Sequence, residues 1–362
     1  MADNYFDTAL LGFTGRVDPR FNIPELRELE SQVLTVGLEN QKYLMDVDQI
    51  ESIKQTTNRP VYVDQFVRKA ATNGTGFAAF STGPMGASQR TALTWVCFTE
   101  TWSSFATTGQ DNDIKSLAIF DNEVMQTQRN LRERLRIWLM GQLHSGRTSG
   151  GNLTTPQGAV WNPATDAYEI NDSTQFWATI ASVMAQNKYY DKLDVFADPI
   201  LSRGWDFTVA QGVNNAVNTN YQAKDFKNVF RETILGNQVA EEYNNGMCLV
   251  LPENSFAFIP WLPALFTNPD SKHDFSKAGT YTGGYGTIED GMGYGTSGDM
   301  GMMPERLTYG IQGWATQANN VASNGATNDI TQQYQMGLYV AFQSAVLSNP
   351  DESTIYEFGY TG

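Results

Sequence analysis

Apolar positions along this chain change period several times, and each change marks an element. From Asp113 to Ser145, Ile114, Leu117, Phe120, Val124, Leu131, Leu135 and Trp138 recur at steps of three, four and seven. That spacing predicts one long helix. Asp111 or Asp113 supplies a cap, and Gly146 supplies a stop. At 1.5 Å per residue it would run about 50 Å. Over its last two turns Ile137, Trp138, Leu139, Met140 and Leu143 leave almost no polar side, so that end should be buried all round. Arg129, Arg132 and Arg136 share one flank. They form either a solvated helix face or a reach toward a neighbour's carboxylates, and the solvated face is favoured slightly because isolated surface pairs contribute little.

Period two takes over elsewhere. In "RPVYVDQFVRK" Val61, Val63 and Val67 fall on one face, with Tyr62, Phe66 and Arg68 on the other. "TALTWVCFTETWSSF" is β-branched and aromatic. Between them lies "AATNGTGFAAFSTGPMGASQR", rich in small residues, with isolated Phe77 and Phe80. The expectation over 59–105 is a long hairpin with a large flexible tip whose phenylalanines await a surface.

Further elements follow. Pro24 opens a helical segment with Leu26, Leu29, Val33 and Val36 at helical spacing, which Gly37 can break; this segment precedes the compact part, as an arm would. "AVWNPATDAYEI" predicts a hairpin around Asn162-Pro163, and a second helix starts at Asp172 or Ser173. "KLDVFADP" is a short buried strand leading to Asp198-Pro199, a cap with proline at the first helical position. "KDFKNVFRETI" alternates. "MCLVLPENSFAFIPWLPALF" predicts a strand, a turn at Pro252, a cap at Asn254 or Ser255 and a short helix stopped by Pro260. The nine glycines of 279–301 predict a loop. Late strands are expected in "RLTYGIQGW", "QQYQMGLYVAFQSAVLS" and "STIYEFGY". Helices and strands mix without regular βαβ alternation, which indicates an α+β class.

Composition narrows the function. The net charge is −15 and charged residues are only 17%. No segment offers the cationic track of a sequence-independent DNA binder. Neutral polar groups desolvate more cheaply than ions, a weak hint that much of the surface meets other chains. Cys97 and Cys248 each sit in an apolar run, so both are expected as buried thiols. The N-terminus is not a signal peptide, and no segment approaches a membrane span.

Candidate chemistry is sparse. "GYGTSG" (Gly293, Gly295, Gly298) matches a dinucleotide fingerprint formally, but "TIEDGM" before it and Pro304 after it deny the strand and helix that such a site needs. His144 falls at a helix C-terminus, where capping accounts for it, and His273 is a loop residue near Asp270 and Asp274. Glu241–Glu242 and Glu289–Asp290 are solvated pairs with nothing local to raise a pKa. No nucleophile elbow, P-loop or zinc motif appears. No catalytic, cofactor or metal residue is assigned, and no enzymatic activity is expected.

In element order over nearly the whole chain, the sequence resembles the tailed-phage major capsid proteins of the Hong Kong ninety-seven-type fold. The resemblance lies in 1–56 as an N-terminal arm, 57–106 as the hairpin called the E-loop, and 113–145 as the spine helix. It extends to 159–190 as a hairpin and second helix. "VFADPILSRG" and "MCLVLPENSFAFIPWLP" are similar to pieces of the axial domain. The resemblance implies a peripheral domain of 107–192 with 331–362 and an axial domain of 193–330 containing the loop 279–301. It implies a virion protein that self-assembles into pentamers and hexamers around double-stranded DNA. Partners would be further copies, a portal, decoration proteins and a separate scaffold or none, because the chain starts almost at the arm. Some relatives cross-link a lysine to an asparagine; Lys69 lies on the hairpin, but no partner is identifiable and no bond is expected. Expected inter-subunit contacts are Phe66, Lys69, Phe77, Phe80, Arg90, Arg129, Arg132 and Arg136. An encapsulin-like compartment shares the implied fold. From a different class, a carbohydrate-binding or hydrolytic domain would use Trp102, Trp161, Trp205 and Trp261 for stacking, although core packing explains them better. A tail or decoration protein is the third alternative.

Overall fold

The computed structural model of the protein describes residues 32–44, 61–66, 88–106, 113–155, 158–214, 225–232, 246–263, 266, 282–289, 307–317, 330–345 and 353–362. Helices are α1 (Gln32–Glu39), α2 (Gln41–Leu44), α3 (Asp113–Ser145), α4 (Phe176–Gln186) and α5 (Pro199–Asn214). Strands are β1 (Tyr62–Phe66), β2 (Ser88–Ala92), β3 (Val96–Ala106), β4 (Ala159–Asn162), β5 (Ala167–Ile170), β6 (Leu193–Ala197) and β7 (Phe226–Arg231). They continue as β8 (Met247–Pro252), β9 (Phe256–Trp261), β10 (Thr282–Glu289), β11 (Thr308–Gln317), β12 (Ile330–Ser344) and β13 (Tyr356–Tyr360). The class is α+β, as the element order predicts.

Three sheets organise these strands: β1-β2 alone, a five-stranded sheet ordered β10-β11-β12-β3 with β9 also on β12, and a six-stranded sheet ordered β4-β5-β13-β8-β6-β7. The six-stranded sheet is buried on both faces at its centre. Along β8, Met247, Leu249 and Leu251 enter the main core, while Cys248 and Val250 enter a second core beneath α4 and α5. Strand β6 divides likewise, with Phe196 in the main core and Val195 and Ala197 in the second. This two-sided burial is why "LDVFA" and "MCLVL" are unbroken apolar runs rather than alternating ones. Strand β12 alternates instead, burying Tyr334, Met336, Leu338 and Val340, because its other face is only half covered.

Helix α3 has 33 residues and lies in the main core through Leu131, Leu135, Leu139, Met140 and Leu143. Trp138 extends the contact edge-on to Phe98 at 5.8 Å and Phe258 at 6.4 Å between ring centroids. The Asp198 cap forms as expected: one carboxylate oxygen accepts the Leu201 N–H at 2.8 Å and the other the Met247 N–H at 3.0 Å. The hairpin around Asn162-Pro163 is present as β4–β5.

Several expectations give way. The second long strand of 59–105 does not return against the first. Tyr62–Phe66 pairs with Ser88–Ala92, and β3 instead pairs with β12 over eleven positions, Val96 to Ala106. The short helix before Pro260 is strand β9, since both of its faces are covered: Phe256 and Phe258 enter the main core, and Ala257 and Ile259 a small third core. Asn254, with φ 63°, makes the turn that sends the chain from one sheet to the other. Part of the glycine-rich segment, Thr282–Glu289, is strand β10 on β11; residues 290–301 lie outside the described residues.

Gly37 does not break its helix. A Cβ there would stand 2.7 Å from the Phe258 Cβ, so the glycine permits α1 to lie directly on β9. Val33 and Leu34 are fully buried in the main core, so residues 32–44 belong to the body rather than to an outlying arm; residues 1–31 lie outside the described residues. The two larger sheets draw their strands from separated stretches of the chain. Strands from 159–170, 193–231, 247–252 and 356–360 form one sheet, and strands from 96–106, 256–261 and 282–344 form the other. Cys97 is exposed; only Cys248 is a buried thiol, and burial raises its pKa well above the ordinary value.

Candidate functional surfaces

Charged groups in the interior are spent on holding elements together. Arg136 of α3 is 7% exposed and donates from Nε to Glu232 Oε1 at 2.9 Å, with Nη2 on the same oxygen. Glu232 follows β7, so the pair ties the long helix to the edge of the six-stranded sheet. At the end of α3, a Glu357 carboxylate oxygen of β13 lies 3.2 Å from His144 Nε2 and 3.0 Å from Arg147 Nε, an ion-pair contact with Arg147. Arg147 also donates to the carbonyls of His144 and Thr165, at 2.8 and 3.1 Å. That junction joins α3, β13 and the β4–β5 turn. His144, expected as a helix cap, has its ring against Arg147 and Glu357, and Arg147 is the side chain that bonds the His144 carbonyl. Asp194 and Asp198 are held above the ordinary carboxyl range, chiefly by burial.

Among the described residues no group of three or more His, Cys, Asp or Glu side chains could hold a metal ion, and no helix is long and apolar enough to cross a membrane. His273, Glu241, Glu242, Asp290, Gly293, Gly295 and Gly298 lie outside the described residues. The four tryptophans proposed for stacking all meet aromatic neighbours within the chain: Trp102 on Tyr334 at 5.3 Å, Trp161 on Tyr168 at 4.8 Å, Trp205 on Trp177 at 5.2 Å and Trp261 on Tyr339 at 5.2 Å.

The expected contact residues fall into three groups. Arg90, on β2, is exposed; its guanidinium lies 5.2 Å from the Tyr62 ring centroid and 3.4 Å from Asp64. Arg129 is exposed on α3. Arg132 and Arg136, expected on a solvated flank, are buried at 2% and 7%. The helix flank that carries them turns inward because β-strands and β7's terminus pack on it, a fact that helical spacing alone does not contain. Phe66 is placed only as a backbone position on β1, and Lys69, Phe77 and Phe80 lie outside the described residues. Sequence reasoning missed Arg147 and Glu357. Their only signal was a charged residue just past the Gly146 stop and one inside an apolar strand.

The root of the β1–β2 hairpin is fixed by Val63 and Leu93, which enter the small third core with Ala257, Ile259 and Ala341. Tyr62, Asp64 and Arg90 face outward from it. Elsewhere, large apolar side chains reach solvent at Tyr43, Val160, Tyr190, Ile200 and Phe207.

No protein-family model and no curated protein matches the chain. Solved structures similar to it include a chain of Mycobacterium phage Che8, with 7% identity, a TM-score of 0.42, and coverage of 88% of this chain and 89% of that one. The Cyanophage Pam1 capsid asymmetric unit gives 9% identity, a TM-score of 0.44, and coverage of 86% and 88%. The capsid structure of Cyanophage P-SCSP1u gives 8%, 0.37, and 85% of each chain.

Proposed function

We propose that this chain is a structural shell subunit, the major capsid protein of a tailed phage, whose copies form pentamers and hexamers enclosing double-stranded DNA. The observation that carries this reading is the β1–β2 hairpin. It is a two-stranded sheet that joins neither larger sheet, rooted by two apolar side chains and turning an aromatic and a cation outward. An isolated pair of strands is marginal in water and gains from lying on another surface. The interior adds to this, because among the described residues its buried ions brace the long helix against β7 and β13. A subunit that bears load through many modest contacts needs such a braced body and projecting parts. Portal, scaffold and decoration partners, and a place in the virion, belong to the same proposal, as do contacts through Phe66, Lys69, Phe77, Phe80, Arg90 and Arg129.

Negative-stain microscopy of the purified chain tests it. Uniform shells, tubes or capsomer rings are expected. A chain that stays monomeric over a wide range of concentration and salt would refute the assignment.

A further inference from the structure

His144, Arg147 and Glu357 meet where the end of α3, β13 and the β4–β5 turn come together. Their side chains are 13%, 14% and 0% exposed, so their charges act on one another with little screening by water. Arg147 works on every side of this junction. Its Nε lies 3.0 Å from Glu357 Oε2, Nη1 donates to the His144 carbonyl at 2.8 Å, and Nη2 donates to the Thr165 carbonyl at 3.1 Å. Thr165 sits between β4 and β5, so one guanidinium ties that hairpin to the long helix.

The same Nη1 stands 3.2 Å from His144 Nδ1. A guanidinium has N–H groups and no lone pair to offer, so it donates here and Nδ1 accepts. That contact requires a neutral ring with its hydrogen on Nε2, the nitrogen 3.2 Å from Glu357 Oε2. A second proton on the imidazole can go only to Nδ1. There it would set one N–H against another and place two cations beside one carboxylate. Imidazole is the side chain that ordinarily takes up such a proton between about pH 5 and 8.

Neighbouring groups do not compete for it in that range. On the hairpin, Asp166 and Glu169 are half-buried carboxylates, and Glu169 accepts a hydrogen bond from Asn162 Nδ2 at 2.6 Å. On β8, burial holds the Cys248 thiol well above its ordinary value, and Tyr168 and Tyr356 are raised by burial as well.

We propose that Glu357 exchanges partners with pH. Neutral His144 leaves the carboxylate to Arg147; protonated His144 takes it over, and Arg147 withdraws and frees the β4–β5 turn from the end of α3. The ring belongs to the last turn of α3 and already lies against the carboxylate, whereas Arg147 follows the helix on a longer side chain. Thr148 stays in place by its own bonds, N–H to the Ile355 carbonyl at 2.9 Å and Oγ1 to the Ser353 carbonyl at 2.6 Å, so the release is confined to the hairpin. That hairpin is the edge of the six-stranded sheet. The latch is a property of the folded subunit and stands whether or not copies build a shell.

The test is backbone hydrogen exchange of the full chain at about pH 8 and about pH 5, the two ends of the imidazole range, corrected for intrinsic rates. Amides of 164–166 should exchange at least about tenfold faster at the acid end, with β5 and β13 unchanged. His144→Gln should keep the slow rate at both ends, and Arg147→Gln should show the fast rate at both. An unchanged turn in the parent, or the same acid response in His144→Gln, would overturn the exchange of partners. So would equal acceleration of β5 and β13, which is general unfolding. Nitrogen-15 spectra of the imidazoles answer without any change at the junction. The chain has two histidines, His144 and His273, so His273→Asn leaves one set of signals. At about pH 8 the Nε2–H form is expected, and an Nδ1–H form or an imidazolium there would refute the geometry.

Discussion

Arg136 reaches from the middle of the long helix to Glu232 at the end of β7, Nε to Oε1 at 2.9 Å, with both side chains almost wholly buried. Removing one partner leaves the other ionised in a low-dielectric interior. Glu232→Ala is therefore expected to destabilise the chain by about 3–5 kcal/mol, whereas Arg136→Met with Glu232→Leu should recover most of the loss. Urea denaturation of the single and double variants checks this; additive losses would show that the two side chains act separately.

Asp194 is buried beside Asn228, and burial is the main cause that lifts its carboxyl above the ordinary 3.8. A carboxyl whose folded pKa is raised binds its proton more tightly in the folded chain. Its stabilising contribution is present below 3.8 and lost as pH rises through the raised value. Asp194→Asn should remove that slope. The difference in stability between variant and parent, followed by denaturation from acid toward neutral pH, should shift in the variant's favour as pH rises. A flat difference would contradict the assignment.

Gly37 sits inside α1, where alanine is normally the better helix former. Here the added methyl would press on the Phe258 backbone and Cβ. Gly37→Ala is expected to cost about 1–3 kcal/mol despite the propensity gain. Thermal melting at matched concentration measures the sign, and a stabilised variant would mean that α1 shifts away freely.

The two thiols should separate cleanly. Cys97 is exposed and Cys248 is buried with its thiolate disfavoured. An aromatic disulfide reagent should titrate one thiol in the native chain and the second only after unfolding. Two fast thiols would place Cys248 nearer to solvent than the fold allows.

Arg90 stands over Tyr62 and beside Asp64 with 69% of its side chain exposed, so its pairing adds little to folding. Arg90→Glu should leave the melt nearly unchanged while reducing particle yield in microscopy. Normal particles would remove Arg90 from the assembly surface.

Periodicity alone determined the elements whose surroundings are one-sided. The long helix from Asp113 to Ser145, the β4–β5 hairpin, the Asp198-Pro199 helix start and the alternating β12 were all legible, because each sequence repeats with the geometry of its own backbone. The α+β class followed from their order. Tertiary structure decided the rest. "FAFIPW" is a strand because two different cores cover its two faces, and an apolar run without a period cannot distinguish that from a buried helix. Strand β3 chose β12, more than two hundred residues away, over the nearer β1, since eleven paired positions outweigh five. Arg132 and Arg136 went inside because a buried ion needs a partner from elsewhere in the chain, and Glu232 lies 96 positions from Arg136. Local spacing encodes the direction of a side chain; only the packed chain determines what stands in front of it.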